Sequence, residues 1–171
     1  DAARRLDWAE PWTAVHEWEP PVDGAVPAAR WFLGGRLNVA VNCVDRHVDA
    51  GGGDKVALHF EGEPGDRISV TYADLQRRVA QAAHALEDLG IRPGDRVVIY
   101  LPVLVETVVV TLACARIGAV HSVVFGGFAP AELATRIDDA QPKVIVTASC
   151  GVERSRVVPY KPMVDDAIER A

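Results

Sequence analysis

The chain has only three cysteines among its 171 residues, and no two of them form a CxxC pair. An odd number of cysteines at wide spacing provides neither a disulfide framework nor the ligands of a structural zinc site. All three lie inside apolar segments, so we expect free, buried thiols and a reducing, cytoplasmic location. The three residues are Cys43, Cys114 and Cys150.

Long hydrophobic runs are also absent. The longest apolar segment, residues 101–117, is interrupted by two charged residues and a proline, which predicts a buried helix and no membrane partner. The five histidines do not pair at i, i+4 and have no cysteines at ligand spacing, so no metal site is expected. No apolar core of a secretory signal follows the first residues.

Positive charge is scarce, because 24 Asp and Glu outnumber 18 Lys and Arg and give a net charge of −6. A nonspecific nucleic-acid binder needs a basic surface, so we expect no nucleic-acid partner. Apolar residues at 49% and charged residues at 25% exclude the disordered and fibrous classes. The start without Met and the uncapped helical pattern over 165–171 lead us to expect a piece of a longer protein.

Residues 1–36 show little regular pattern but contain four tryptophans and four prolines. Closely spaced prolines prevent a long helix, and indole rings need a surface on which to pack. We therefore predict an extended arm that lies across another part of the protein. A helix follows, which Asn38 caps and the glycines at 51–53 end.

Two β-rich runs, residues 55–60 and 67–72, are separated by a turn with Gly and Pro and predict a β-hairpin. Thr71 then begins a capping-box variant in which Asp74 replaces Glu, and Gly90 marks the end of the helix. An apolar stripe is expected to bury one side of this helix. Its members are Leu75, Val79, Ala82, Ala83, Leu86 and Leu89.

Three short runs dense in Val and Ile, residues 96–101, 119–125 and 143–148, show no polar alternation and predict parallel strands buried on both faces. Helices are predicted between them over 103–117 and 130–140, in the order of βαβ units. The predicted fold class is therefore α/β: a Trp- and Pro-rich N-terminal arm and helix, then a partial doubly wound parallel sheet.

Two loops follow the carboxyl ends of predicted strands, where ligands bind in such sheets. In the first, residues 125–128 (Phe-Gly-Gly-Phe), the glycines allow a ligand or another backbone to approach closely, or a positive φ. The residues alone favour a simple turn with both phenylalanines in the core. In the second, residues 149–156, Arg154 and Arg156 have the chemistry to bind phosphate, although a solvated loop is the simpler interpretation.

No complete catalytic constellation is visible. His121 and Ser122 are neighbours on a predicted strand and point to opposite faces, so they cannot act together as base and nucleophile. The phosphate-loop pattern G-x-x-x-x-G-K-[ST] is absent, because the glycines at 51–53 precede Lys55 at the wrong spacing. We therefore expect no catalytic residue and no bound metal in this chain.

Several longer motifs, in this order, resemble the acetyl-CoA synthetase family, the AMP-forming short-chain acyl-CoA synthetases of the adenylate-forming superfamily. They are WFLGGRLN (31–38), NCVDRH (42–47), LGIRPGDRV (89–97), LACARIGA (112–119) and HSVVFGGF (121–128). The resemblance covers the chain from about Trp31 to its last residue, and the Trp-rich arm is also typical of the family.

The resemblance implies a reaction in which a short carboxylic acid and ATP give an acyl-adenylate, and CoA then displaces AMP to form a thioester. It implies Mg²⁺ and, as partners, the remainder of the same chain, including a mobile C-terminal domain that carries the adenylation lysine. It implies an N-terminal cap over 1–50 and the start of the AMP-binding domain over 51–171. The family's phosphate loop and catalytic lysine are absent, so we expect the isolated chain to be inactive and to need no cofactor.

The part of the family's site that matches this sequence is a portion of the CoA site. The matching residues are Phe125, Gly126, Gly127, Glu153, Arg154, Ser155 and Arg156. Arg156 falls on the family's second CoA-contacting arginine, whereas Glu153 replaces the first and is expected to repel phosphates unless Arg154 substitutes for it. Residues 148–153 and 160–162 resemble propionyl-CoA synthetase instead, so acetate and propionate both remain open.

Two other classes of protein remain open at this point. The chain is alternatively a self-contained, non-catalytic α/β binding or regulatory module, which should expose little apolar surface on its own. A redox or metal protein that uses the cysteines is a weaker alternative, and buried, unreactive thiols would exclude it.

Overall fold

The structure, a computed structural model, describes residues 2–22, 24, 26–153 and 156–171. An N-terminal hairpin leads through a helical segment and a second hairpin into a three-stranded parallel sheet that has helices on both faces. The α/β class that the sequence predicts is therefore the observed one. None of the helices in these ranges has the length and hydropathy that crossing a bilayer requires.

The N-terminal region forms regular structure where the sequence predicted an irregular arm. It contains a 3-10 helix (Ala2–Arg5) and an antiparallel hairpin of β1 (Ala14–Glu19) and β2 (Ala28–Leu33). On this hairpin Trp18 and Trp31 are 54% and 61% exposed. The Trp31 ring packs on His16 with 4.2 Å between ring centroids, so the expected packing of the indole rings is wrong for Trp18. The strands escaped prediction because every residue of β1 is exposed, so no buried face marks it in the sequence.

Hydrogen bonds attach the N-terminal residues to the helical segment that follows. The Asn42 side chain accepts a hydrogen bond from the Asp7 N–H at 2.8 Å and donates one to the Asp7 carbonyl at 2.9 Å. Arg46 donates to the carbonyl of Arg5 at 2.7 Å. Asn42 is thus a buried polar residue whose amide is satisfied by backbone, which fixes where the N-terminal segment lies.

The helical segment begins at Asn38, as predicted. The Asn38 side-chain oxygen accepts hydrogen bonds from the N–H groups of Ala40 at 2.9 Å and Val41 at 3.3 Å, which caps the segment. Two stretches of it are π-helical, Val41–Asp45 and Val48–Gly52, which the sequence pattern did not predict. Asp45 accepts hydrogen bonds from Arg116 at 2.7 Å and Gln76 at 2.9 Å, so this segment is bonded to both helices beneath it.

The second hairpin and its following helix lie where the sequence predicts them. They are β3 (Val56–Glu61), β4 (Arg67–Thr71) and α1 (Tyr72–Asp88). The Thr71 hydroxyl accepts a hydrogen bond from the Asp74 N–H at 3.2 Å, and Gly90 ends the turn after the helix with φ +87°. Leu89 is 67% exposed, because it follows the last helical turn, so its predicted place in the buried stripe is wrong.

The central sheet is parallel, with strand order β6-β5-β7. Its strands and helices are β5 (Arg96–Tyr100), α2 (Val105–Arg116), β6 (Val120–Val123), α3 (Pro130–Ala140), β7 (Val144–Thr147) and α4 (Tyr160–Arg170). The prediction of parallel strands is confirmed, but burial on both faces holds for β5 and not for its two neighbours, which are partly exposed.

The two faces of β5 belong to two separate hydrophobic cores. Val97 and Ile99 pack with residues of α1 and α2, whereas Val98 and Tyr100 pack with residues of α3 and α4. Successive side chains of a strand point to opposite faces, so this alternation determines which layer each residue contacts. The predicted double winding of the sheet is therefore present in the described part of the chain.

The three thiols are free but differ in exposure. Cys114 is buried, and desolvation raises the pKa of its thiol to about 11. Cys43 and Cys150 are exposed, so the expectation of three buried thiols is wrong for these two. Apolar neighbours in sequence did not bury them: Cys43 lines an open cavity, and Cys150 lies in the loop between the last strand of the sheet and the hairpin at 151–158.

The Thr71 hydroxyl gives a local test of this fold. Replacing Thr71 by Ala removes the acceptor for the Asp74 amide and should lower the free energy of opening the start of α1 by about 1 kcal/mol. Amide hydrogen exchange resolved at the first turn of α1 measures this change. Thr135→Ala is the matched control, since its hydroxyl bonds the Ala131 carbonyl within α3. The capping role would be contradicted if Thr71→Ala changed the exchange rates at the start of α1 no more than Thr135→Ala changed those of α3.

The thiols should separate by chemistry in the folded chain. At about pH 8, iodoacetamide should alkylate Cys43 and Cys150 and leave Cys114 intact until the chain is denatured, because a buried protonated thiol is a poor nucleophile. Mass spectrometry of the peptides measures the labelling. Labelling of all three thiols at one rate in the folded chain would refute this prediction.

The unfolded Cys114 thiol ionises at lower pH than the folded one. The native state should therefore also lose stability as pH rises from 9 towards 11.

Candidate functional site

Two loops meet at one edge of the central sheet. One follows β6 and the other follows β7, and both strands pair in parallel with β5, on its two sides. The carboxyl ends of parallel strands lie at the same edge, which is where ligands bind in open α/β sheets. The structure therefore brings together the two loops that carry the sequence-predicted site residues.

The first loop is a β-turn at residues 125–128, here called the Gly-Gly turn. The N–H of Phe128 donates to the carbonyl of Phe125 at 3.0 Å, and Gly126 and Gly127 occupy the two central positions. Neither glycine has a positive φ. The turn prediction is thus correct, but the Phe125 ring is 71% exposed, so its predicted place in the core is wrong.

Close contacts, and not backbone conformation, explain the two glycines. A Cβ atom at Gly126 would lie 3.0 Å from the Cε1 and Cζ atoms of Tyr160. A Cβ atom at Gly127 would lie 3.0 Å from the Cζ atom of Phe125. A Cβ atom at Gly126 would also collide with the Tyr160 hydroxyl, and because Tyr160 is buried it cannot turn away, so the turn approaches Tyr160 as glycine. The exposed Phe125 ring can rotate, so the contact at Gly127 is less restrictive.

Tyr100, at the end of β5, holds the Gly-Gly turn from the core side. Its hydroxyl donates to the Phe128 carbonyl at 2.7 Å and lies 3.2 Å from the Gly126 carbonyl oxygen. The side chain is fully buried. A hydrogen bond from a buried hydroxyl is costly to lose. This bond therefore keeps the turn attached to β5, the most buried strand of the sheet.

The second loop is a short antiparallel hairpin, here called the Arg156 hairpin, where the sequence predicted an irregular loop. It consists of β8 (Gly151–Glu153) and β9 (Arg156–Val158), in which Glu153 and Arg156 are backbone partners. Arg156 is exposed at the start of β9. Arg154 and Ser155 lie outside the described residues, so the idea that Arg154 replaces a family arginine stays a prediction.

The ring of Tyr160 lies close to both loops, beside Gly126 and beside Gly151. Tyr160 is the first residue of α4, is 2% exposed, and packs on Tyr100 with 5.1 Å between ring centroids. In the sequence this residue is notable only for a family resemblance, so its place in the site was not predicted. The signal that marks it is Pro159 at the N-cap, where a small polar residue is usual, followed at once by an aromatic residue.

Other features of the described residues lie apart from these loops. A cavity of about 360 Å³ lies on the opposite side of the sheet, between α1, α2 and the second hairpin, with mostly apolar lining side chains. It contains none of the predicted site residues. In the described ranges no group of three or more His, Cys, Asp or Glu side chains is arranged to hold a metal ion.

Comparison with known proteins shows two family matches. The model for "AMP-binding enzyme" matches residues 44–170, and the model for "Acetyl-coenzyme A synthetase N-terminus" matches residues 1–43. The boundary between the two matches falls inside the helical segment that starts at Asn38.

Curated relatives match over almost the whole chain. A protein named acetyl-coenzyme A synthetase from Streptomyces avermitilis is 55% identical over 170 residues, which is 99% of this chain and 25% of the relative. Its namesake from Streptomyces coelicolor is 55% identical over all of this chain and 26% of the relative. The one from Mycobacterium tuberculosis is 54% identical over 97% of this chain and 25% of the relative. The chain thus spans about a quarter of the length of these relatives.

Proposed function

The chain belongs to the family of AMP-binding enzymes and matches the N-terminal region of acetyl-coenzyme A synthetases, and from this premise we propose that the whole protein is an AMP-forming acyl-CoA synthetase. In this proposal a short carboxylic acid, ATP and CoA give acyl-CoA, AMP and pyrophosphate. The described chain contributes one side of the CoA site and no catalytic residue. The observation that carries this assignment is the meeting of the Gly-Gly turn and the Arg156 hairpin at the ligand-binding edge of a parallel sheet.

The chemistry of the two loops suits different parts of CoA. The Gly-Gly turn has no side chains at its two central positions and displays the exposed Phe125 ring, so a long, partly apolar ligand can lie close to its backbone. Arg156 carries a guanidinium group, which binds phosphate oxygens bidentately.

The remaining groups of the reaction belong to the rest of the protein. We place ATP, Mg²⁺, the carboxylic acid and the catalytic groups on residues outside this chain, including a mobile C-terminal domain. Residues 1–50 act as an N-terminal cap and residues 51–171 begin the AMP-binding domain; the bonds from Asn42 and Arg46 to the N-terminal backbone support the cap. The free thiols support a reducing, cytoplasmic location.

The acyl substrate is acetate or propionate. The names of the relatives support acetate, whereas the motif at 148–153 with residues 160–162 resembles propionyl-CoA synthetase. The ratio of kcat/KM for the two acids, measured on the full-length protein, decides between them. A non-catalytic binding module is not favoured, because the AMP-binding enzyme model covers most of the chain.

Arg156 provides the direct test of the CoA assignment. In the full-length enzyme, Arg156→Ala should raise the KM for CoA by about tenfold or more and leave the KM for ATP within about twofold, since a hydrogen bond to a charged group contributes about 1.5–3 kcal/mol. Steady-state kinetics with each substrate varied in turn measures both constants.

Arg67→Ala is the matched control for this experiment. Arg67 is also an exposed arginine on an antiparallel hairpin, where it pairs with Glu61 at 2.9 Å, but that hairpin is not part of the sheet edge described above. The control should leave both constants unchanged. An Arg156→Ala enzyme that binds CoA normally, or that loses affinity for CoA and ATP equally, counts against the proposal.

The chain by itself should not activate a carboxylic acid. Acetate- or propionate-dependent exchange of pyrophosphate into ATP should be present in the full-length protein and absent from the isolated 171 residues, because the adenylating groups lie elsewhere. Exchange by the isolated chain above the rate without acid would show that these 171 residues contain catalytic groups.

A further inference from the structure

Tyr160 is the first residue of α4 and one of the most buried large side chains of the described chain, with 2% of the residue exposed. The N-cap before it is Pro159, where a small polar residue is usual. The Tyr160 ring packs beside Tyr100 with ring centroids 5.1 Å apart and an angle of 45° between the ring planes. Both rings belong to the core between the sheet and the helices α3 and α4.

Both loops of the site approach this one ring closely. A Cβ atom at Gly126 would collide with the Tyr160 hydroxyl and would lie 3.0 Å from both Cε1 and Cζ. A Cβ atom at Gly151, in the Arg156 hairpin, would lie 2.9 Å from Cε2. Each loop therefore has a glycine at the point where it approaches the ring.

Both contacts leave little freedom for adjustment. The Gly-Gly turn is held on its core side by the Tyr100 hydroxyl, through the carbonyl of Phe128 at 2.7 Å. Gly151 is also confined by Pro102, whose Cβ would be 3.1 Å from an added Cβ. The segment that leads from β7 into the Arg156 hairpin is bonded to the start of α4 through the N–H of Lys161, which donates to the Ser149 carbonyl at 3.3 Å.

We infer that Tyr160 is a positioning residue for CoA: its ring acts as a spacer that sets the distance between the Gly-Gly turn and the Arg156 hairpin. This inference rests on the proposed function, since it assumes that both loops contact CoA. Binding groups must be held to within a fraction of an ångström to act together, and they need supporting side chains that are locked by packing. Tyr160 supplies that support to both loops without itself contacting the ligand.

The first experiment removes the ring in the full-length enzyme. Tyr160→Ala should raise the KM for CoA by about tenfold, because the two loops lose their common support. The acid-dependent exchange of pyrophosphate into ATP, which needs no CoA, should stay within about twofold of the wild-type rate. Tyr160→Phe keeps the spacer and should restore the KM for CoA to within about twofold of wild type.

Tyr72→Ala is the matched control for ring removal. Tyr72 is also the first residue of a helix and also contacts another ring, that of His47, at 4.7 Å between centroids. It lies on the other side of the sheet, beside the apolar cavity. Tyr72→Ala should not raise the KM for CoA by a larger factor than it lowers the rate of the exchange reaction. A loss of exchange activity in Tyr160→Ala that equals its loss of CoA affinity would show a general structural role and overturn the inference.

A double-mutant cycle tests the spacer without depending on one variant alone. Gly126→Ala introduces a Cβ that collides with the Tyr160 ring, so it should raise the KM for CoA by about tenfold in the wild-type background. In the Tyr160→Ala background the new Cβ has room, so the same change should add less than about twofold. Additive effects of the two substitutions would overturn the inference. If Tyr160→Ala does not fold, Gly126→Ala with Tyr160→Leu provides the same comparison.

The outcomes distinguish this inference from the function on which it depends. Isothermal titration calorimetry of CoA with each full-length variant measures the binding constant without requiring turnover. Weaker CoA binding in Arg156→Ala together with normal binding in Tyr160→Ala would reject the spacer and retain the CoA site. Normal CoA binding in both variants would reject the CoA site as well.

Discussion

The burial of β5 is the constraint on which the rest of this structure depends. All four residues from Val97 to Tyr100 are completely shielded from solvent, and the strand pairs in parallel on both of its edges. Its alternating side chains divide between two hydrophobic cores, so helices must cover both faces of the sheet. Because both neighbours run parallel to it, the loops that follow them must lie at the same edge. The candidate site is a direct consequence of that pairing.

Two tyrosines link this buried strand to the exposed loops. Tyr100 reaches the Gly-Gly turn through its hydroxyl, and Tyr160 lies close to both that turn and the Arg156 hairpin. The glycines at 126 and 151 are therefore explained by the approach of one aromatic ring, although glycine is more often needed for a positive φ. The site combines exposed groups suited to a ligand, such as Phe125 and Arg156, with a support that is almost completely buried.

Much of the fold could be predicted from local patterns. The cap at Thr71, the helix end at Gly90 and the parallel strands around β5 each follow from a signal of a few residues, and the structure contains all of them. The N-terminal hairpin gave no such signal, since β1 has no buried face. The exposure of Cys43 also could not be predicted, because a π-helical turn changes which side of the segment a residue faces.

The amino-acid sequence by itself determined the α/β class, the order of the elements from the second hairpin to β7 and the family motifs, because hydrophobic periodicity, capping residues and motif spacing are all local properties of the chain. It also placed two ligand-type loops after two parallel strands. Only the tertiary structure decided that a single ring lies close to both loops, that Phe125 faces outward, and that the second loop is a hairpin. The contacts of Tyr100 with Gly126 and Phe128, and of Tyr160 with Gly126, join residues that are 25 or more positions apart, and no local pattern encodes such a contact.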